Sequence, residues 1–173
     1  MSWRFGVVGL VCLLATVAFA SSADDAGPDS AGFRSHAFSG PDGTDATLGD
    51  FEGQPLVVNF FASWCPPCRA ELPDLEAFHQ AGDGQVQLIG ISHDLARSSW
   101  LSLVTEAGLT FPTYHQPDQE IFTELDLFAM PTTIFVSAEG EIAHTHGGVL
   151  TERSLRDSVA EHLGVTIPEM GAT

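Results

Sequence analysis

At 173 residues and 44% hydrophobic composition, the chain suits one domain with a sizeable core and leaves little room for a second. Its charge is one-sided, 23 acidic residues against six arginines and no lysine for a net −17, which repels phosphate backbones and anionic lipid headgroups and excludes nucleic acid as a partner. We read most of this acidity as a solubility feature of the surface.

Residues 5–19, from Phe5 to Phe19, carry no charge, follow Arg4, and lead into Ala18-Phe19-Ala20 before Ser21, the small-x-small pattern that signal peptidase accepts. Residues 1–20 therefore read as a cleaved secretory signal, with an uncleaved membrane anchor as the alternative because the uncharged stretch continues to Ala23. Cleavage after Ala20 removes Cys12 and leaves Cys65 and Cys68 as the mature chain's cysteines. Residues 21–32 are small, polar and acidic and read as a flexible linker, the domain is expected over 33–165, and 166–173 is a C-terminal tail.

Gly40-Pro41-Asp42-Gly43 marks a turn, and Thr47, Leu48 and Phe51 suggest a short strand or its edge before the turn at Gly53-Gln54-Pro55. Leu56–Ala62 is apolar at nearly every position, as expected of a central strand buried on both faces. A helix starts near Pro66, where a first turn tolerates proline, and runs to about Gln80 with Leu72, Leu75 and Phe78 on its core side and a kink at Pro73. Val86–Ile91 is a second central strand. Ser98 or Ser99 caps a helix bearing Trp100, Leu101, Val104 and Ala107 before Gly108. Phe111–His115 is a short extended piece, and Gln119–Leu127 a short helix that stops before Pro131. Thr132–Val136 and Glu141–His146 form a hairpin through Ala138-Glu139-Gly140, and a final amphipathic helix with Leu155, Val159 and Leu163 is capped by Thr151. A parallel β-α-β unit followed by a hairpin and a closing helix predicts an α/β fold, a mixed central sheet flanked by helices.

The chemistry centres on Trp64-Cys65-Pro66-Pro67-Cys68, where a buried strand passes into a helix. A disulfide between cysteines three apart closes a tiny loop and constrains little of the unfolded chain, so the pair reads as redox chemistry rather than as a staple. The helix N-terminus favours an anion at Cys65, making it the nucleophile; Pro66 and Pro67 offer no N–H to that thiolate, while Arg69 adds positive charge nearby. Cys68, one turn into the helix, is placed to resolve a mixed disulfide from within. Glu71 lies three residues further on the same helix face, either to move the Cys68 proton or as an ordinary acidic residue of a first turn. Trp64 is either a substrate contact or a packing residue. His144 and His146 share a strand face but lack a third ligand at zinc-like spacing, His93-Asp94 reads as a solvated loop pair, and Gly-rich phosphate loops, Gly-x-Ser-x-Gly and His-Glu-x-x-His are absent from the sequence.

The block Asn59-Phe60-Phe61-Ala62-Ser63-Trp64-Cys65-Pro66-Pro67-Cys68-Arg69-Ala70-Glu71-Leu72-Pro73 resembles the active-site block of exported thioredoxin-like proteins of the TlpA/ResA/CcmG type. Gly49–Gly53, Gly90-Ile91-Ser92-His93-Asp94, Phe111-Pro112 and Met130-Pro131-Thr132-Thr133-Ile134-Phe135 follow in that family's order, so the likeness extends from about Phe33 to Leu163. The resemblance implies a thioredoxin fold, a cis peptide at Met130-Pro131 facing the dithiol, and a thiol-disulfide oxidoreductase acting outside the cytoplasm. It also strengthens the case for Glu71 as a residue that tunes the thiols. Phe61 stands where the family often has tryptophan, and Phe128-Ala129-Met130 lacks a glycine frequent there.

The expectation is thus a reductase with Cys65, Cys68 and Glu71 as catalytic residues and Trp64, Pro66, Pro67, Met130 and Pro131 contacting substrate. It would require no cofactor beyond the redox-active Cys65–Cys68 pair and no metal. The substrate would be an exported protein disulfide, such as that of apocytochrome c in cytochrome c maturation, and a membrane thiol-disulfide carrier would donate the electrons. The protein is expected to be a monomer in the periplasm or at the outer face of the cytoplasmic membrane, secreted or tethered by its N-terminus. Two alternatives stand beside this reading: a disulfide oxidase or isomerase, and a copper-delivery protein holding Cu(I) on two thiolates and a histidine. A peroxiredoxin is disfavoured because its reactive cysteine would be preceded by a threonine, whereas Trp64 precedes Cys65.

Overall fold

A computed structural model of the chain describes residues 32–82 and 84–168. The expected signal and nearly all of the expected linker lie outside the described residues, and among the described residues no helix is long and apolar enough to cross a membrane. Seven strands form one sheet in the order β2-β1-β5-β4-β3-β6-β7. They are β1 Phe38–Ser39, β2 Asp45–Ala46, β3 Leu56–Phe61, β4 Gln87–Ser92, β5 Thr113–His115, β6 Thr132–Val136 and β7 Ile142–Gly147. The helices are α1 Pro66–Gly82, α2 Arg97–Ala107, α3 Glu120–Glu124 and α4 Glu152–Leu163.

β3 is the centre of the molecule. It pairs in parallel with β4, Phe61 opposite Ser92, and antiparallel with β6, Phe60 opposite Thr132. The two-residue alternation of a strand sends Val57 and Phe61 into a core cluster with α1, α2 and α4, and Leu56, Val58 and Phe60 into a second cluster with Phe33, Phe38, Leu48 and Ile121 of α3. Both faces are thereby covered, which explains why all six β3 positions are buried. The same alternation turns Asn59, the one polar residue of the strand, toward the α1 side. Gly90 of β4 is required by its neighbours, since a Cβ there would stand 2.8 Å from the Phe61 ring and 3.2 Å from that of Phe111.

The thioredoxin-type mixed sheet, the parallel β3-α1-β4 unit, the β6-β7 hairpin and the Thr151 cap are as expected. Several details differ. Leu48–Phe51 is a 3-10 turn rather than strand, because the Asp50 carboxylate accepts from the Thr47 amide and hydroxyl at 2.8 and 2.9 Å and winds the segment up. α1 runs through Pro73, as expected, and continues two residues past the expected end at Gln80, with a buried stripe of Cys68, Glu71, Leu72, Leu75 and Phe78. α2 begins at Arg97, after Ala96 and before the expected serine caps; the Arg97 guanidinium donates to the carbonyls of Gly40 and Pro41. α3 is shorter than expected because the chain reverses at Asp126, which has φ 50°. Beyond the expected domain boundary, Ile167 is still part of the α1-side core.

Candidate active site

The C-terminal end of β3 delivers the chain through Ala62 and Ser63 to Trp64 and Cys65, and α1 starts at once with Pro66. Cys65 and Cys68 are joined as a disulfide with Cα atoms 5.3 Å apart. Cys65 is 5% exposed and Cys68 fully buried, the asymmetry expected of an attacking and a resolving thiol. With Pro66 and Pro67 unable to donate, the first amide able to serve the nucleophile belongs to Cys68, and it donates to Cys65 Sγ at 3.3 Å. Arg69 is engaged elsewhere: its guanidinium pairs with Glu106 of α2 at 2.8 Å, so its charge is shared with a carboxylate and does not act on Cys65 alone.

Glu71 is completely buried, one turn after Cys68 on the same stripe of α1. Its Oε1 accepts from Asn59 Nδ2 at 2.7 Å, and its Oε2 from the Leu150 amide at 3.1 Å. Asn59 Nδ2 also donates to Thr133 Oγ1 at 3.1 Å, which ties β3, β6, α1 and the β7-α4 loop to one carboxylate. Burial is the dominant influence and pushes the Glu71 carboxyl up from 4.5 to about 7, with the Asn59 and Leu150 hydrogen bonds acting in the opposite direction. A carboxyl poised there exchanges its proton near neutrality. Asn59 was concealed within an apolar run, where its polarity was the available signal.

The Met130–Pro131 peptide is cis, as the family resemblance implied. Because β6 lies beside β3, this bend brings Met130 to the dithiol. A groove of about 400 Å³ is lined by Trp64, Cys65, Pro66, Pro67, Phe122, Phe128, Ala129 and Met130. Trp64 is 61% exposed on its wall, which favours the contact role over packing. Pro131 itself is buried and does not line the groove. A larger cleft of about 600 Å³, between the β1-β2 turn and the segment from Leu109 to Tyr114, contains neither cysteine.

His93 and Asp94 are not solvated. His93 is 1% exposed, its ring 5.5 Å from that of Phe60 and 4.9 Å edge-on from that of Phe122, and neither ring nitrogen has a hydrogen-bond partner. Burial pushes its pKa down from 6.5 to about 4, so the imidazole is neutral. The Asp94 carboxylate accepts from the Ser63 amide at 3.0 Å, the Ser63 hydroxyl at 2.6 Å and the Ser92 hydroxyl at 2.9 Å, fixing the approach to Trp64 and Cys65. Sequence reasoning missed this clamp because Ser63 and Asp94 meet only when β3 and β4 pair. His144 stacks on His162 at 4.0 Å, and among the described residues no group of three or more His, Cys, Asp or Glu is placed to hold a metal.

Residues 32–145 match the AhpC/TSA family. The chain is 32% identical over 111 residues to the thiol-disulfide oxidoreductase ResA of Oceanobacillus iheyensis, spanning 64% of this chain and 58% of that protein, less than two thirds of its length. It is 31% identical over 116 residues to the sporulation thiol-disulfide oxidoreductase A of Bacillus subtilis, spanning 64% and 69% respectively. In fold it is similar to the crystal structure of a putative thiol:disulfide interchange protein DsbE from Chlorobium tepidum, with a TM-score of 0.69, 21% identity, and coverage of 75% of this chain and 93% of that one. The mixed seven-stranded sheet agrees with the likeness in fold, and the chain belongs to the AhpC/TSA family with a thioredoxin-like fold.

Proposed function

We propose that this protein is a thiol-disulfide oxidoreductase that works outside the cytoplasm, reducing disulfides of exported proteins, with apocytochrome c a candidate substrate in cytochrome c maturation. The observation that carries the reading is the division of labour at the pair: Cys65 lines an open groove, while Cys68 is fully buried on the stripe of α1 that also carries the buried Glu71 carboxyl, poised near neutral pH. In the first step the Cys65 thiolate attacks one sulfur of the substrate disulfide. The substrate S–S bond breaks, and its other sulfur leaves as a thiolate that takes a proton from solvent. In the second step Glu71 accepts the Cys68 proton, and the Cys68 thiolate attacks Cys65 Sγ of the mixed disulfide. The Cys65–Cys68 bond forms, the second substrate sulfur leaves as a thiolate, and two electrons have passed from dithiol to substrate. A membrane thiol carrier then restores the dithiol.

Export is supported by the uncharged run from Phe5 to Phe19 and its Ala18-Phe19-Ala20 ending. The reading is tested with a Cys68→Ser variant, which should retain Cys65-linked substrate as a stable mixed disulfide identifiable by mass spectrometry in the native host. An absence of trapped exported proteins, or a reduction potential as oxidising as that of a disulfide-forming catalyst, would refute a reductase role. N-terminal sequencing of the mature protein checks cleavage after Ala20.

A further inference from the structure

The segment from Asp118 to Asp126 carries the carboxylates of Asp118, Glu120, Glu124 and Asp126, and the chain has no arginine between Arg97 and Arg153. α3 lies within this segment. Glu120 and Glu124, its first and last residues, stand four apart on one helix face, where like charges repel. Five residues are too few to hold a helix by backbone bonds alone. The joints of α3 are strained as well, because Gln119 before it and Asp126 beyond it, neither a glycine, have φ of 59° and 50°. What secures the helix comes from the start of the domain. Phe33 packs with Ile121 in the second core cluster, and the Ala37 carbonyl accepts from Gln116 Nε2, whose side-chain oxygen accepts from the Ile121 amide at 3.4 Å. Between Phe33 and Ala37, the His36 ring reaches both glutamates, Nδ1 to Glu120 at 2.9 Å and Nε2 to Glu124. Ionised carboxylates only accept, so both ring nitrogens carry protons and the imidazole is a cation.

We infer that His36 is a positioning residue for the groove at Cys65: as a cation it clamps α3, and with it the Phe122 wall of the groove, and on losing its proton it releases the helix. Glu124 and Glu120 are the charged groups that act on the ring, while Arg34, two residues before it, is engaged by Glu52 at 3.1 Å. The hydrogen bond to Glu124, then that to Glu120, raises the His36 pKa above 6.5 against the opposing effect of burial. Because the folded-state value is raised, the clamp is complete below pH 6.5 and is lost as pH rises through that raised value. On the other side of α3, Phe122 meets His93, which titrates near 4 and stays neutral throughout this range. The groove lining includes no ionisable group except Cys65, so its response to pH beyond that thiol is imported from a residue outside it.

Hydrogen exchange of the oxidised protein, in which the cysteines do not titrate, tests the clamp. Corrected for the intrinsic rate at each pH, residues 118–127 of wild type should be protected at pH 6 and lose that protection several-fold by pH 9. His36→Gln should be as open at pH 6 as wild type is at pH 9. His36→Arg, whose guanidinium can serve two carboxylates and does not titrate, should stay protected at both. Glu71 titrates within this range but is common to all three proteins. In NMR the His36 ring should titrate above 6.5, and closer to 6.5 in Glu124→Gln. Equal protection at pH 6 and 9, equal protection in wild type and His36→Gln at pH 6, or a His36 midpoint at or below 6.5 would each overturn the inference. The effect on the groove rests on the oxidoreductase reading: at pH 6, His36→Gln should raise KM for a disulfide-bonded polypeptide several-fold with kcat little changed, and His36→Arg should restore it. An unchanged KM would overturn the positioning role. Inactivity of wild type itself would refute the oxidoreductase reading, and the exchange and titration results would still decide the clamp.

Discussion

Replacing Glu71 with glutamine tests the electrostatics of the buried carboxyl without changing its shape. In the folded protein the carboxyl titrates near 7, against 4.5 in the unfolded chain, a difference worth roughly 3 kcal/mol at 1.36 kcal/mol per unit. Because the folded-state value is raised, the stabilising contribution is complete below about pH 4.5 and is lost as pH rises through about 7. Glutamine has no such dependence. It does carry a fixed penalty: both carboxylate oxygens accept hydrogen bonds, from Asn59 and from the Leu150 amide, and an amide nitrogen in place of one of them faces a donor, at a cost of about 1–3 kcal/mol. A protonated glutamate avoids that conflict, since its hydroxyl oxygen keeps a lone pair. Urea unfolding of the oxidised protein, in which the cysteines do not titrate, should therefore show Glu71→Gln clearly less stable than wild type at pH 4.5. The gap should close or reverse by pH 8, a change of roughly 3 kcal/mol. Other titrating groups, His93 among them, are common to both proteins and drop out of the difference. A gap that stays constant between pH 4.5 and 8 would refute the assignment of a raised carboxyl pKa.

Three further outcomes follow from the same geometry. His93, held neutral with a pKa near 4, makes the fold lose roughly 3 kcal/mol as pH falls from 6.5 toward 4; His93→Phe, which keeps the ring contacts with Phe60 and Phe122, should shift the acid-unfolding midpoint downward. An unchanged midpoint would count against a neutral buried imidazole. Asp94→Asn weakens the hold on Ser63 and should cost about 2 kcal/mol in thermal unfolding while slowing iodoacetamide alkylation of reduced Cys65, and a loss of stability with unchanged alkylation would show that the clamp does not position the thiol. Gly90→Ala forces a methyl against the Phe61 ring and should destabilise by about 2 kcal/mol, with Phe61→Leu restoring part of the loss in the double variant.

The central architecture was readable because its signals are local and repeated. The apolar run of β3, the Ala138-Glu139-Gly140 turn of the β6-β7 hairpin, and the Thr151 cap of α4 each specify their element within a few residues. Elements decided by single side chains or distant partners were not. Asp50 winds Leu48–Phe51 into a 3-10 turn, and the Gly40 and Pro41 carbonyls hold the Arg97 side chain at the head of α2. At the site, Cys65 and Cys68 were explicit in the chain, and the spacing put Glu71 on the right face. Nothing in the spacing revealed that Asn59 and the Leu150 amide, 12 and 79 residues away, would occupy both of its oxygens. His93 was misread because the rings that bury it come from β3 and α3, outside its own segment.

Cys65 and Cys68 belong to the same packed cluster as Leu72, Trp100, Phe135 and Val159. Folding and redox chemistry therefore form one thermodynamic cycle: whatever the core adds to the oxidised form over the reduced form appears, at about 30 mV for each 1.4 kcal/mol, as a lower reduction potential for the pair. A core substitution far from the groove, made with no thought of catalysis, would retune the driving force for electron transfer by favouring one form over the other. For a reductant the useful bias is a fold that holds its own disulfide better than it holds the two thiols.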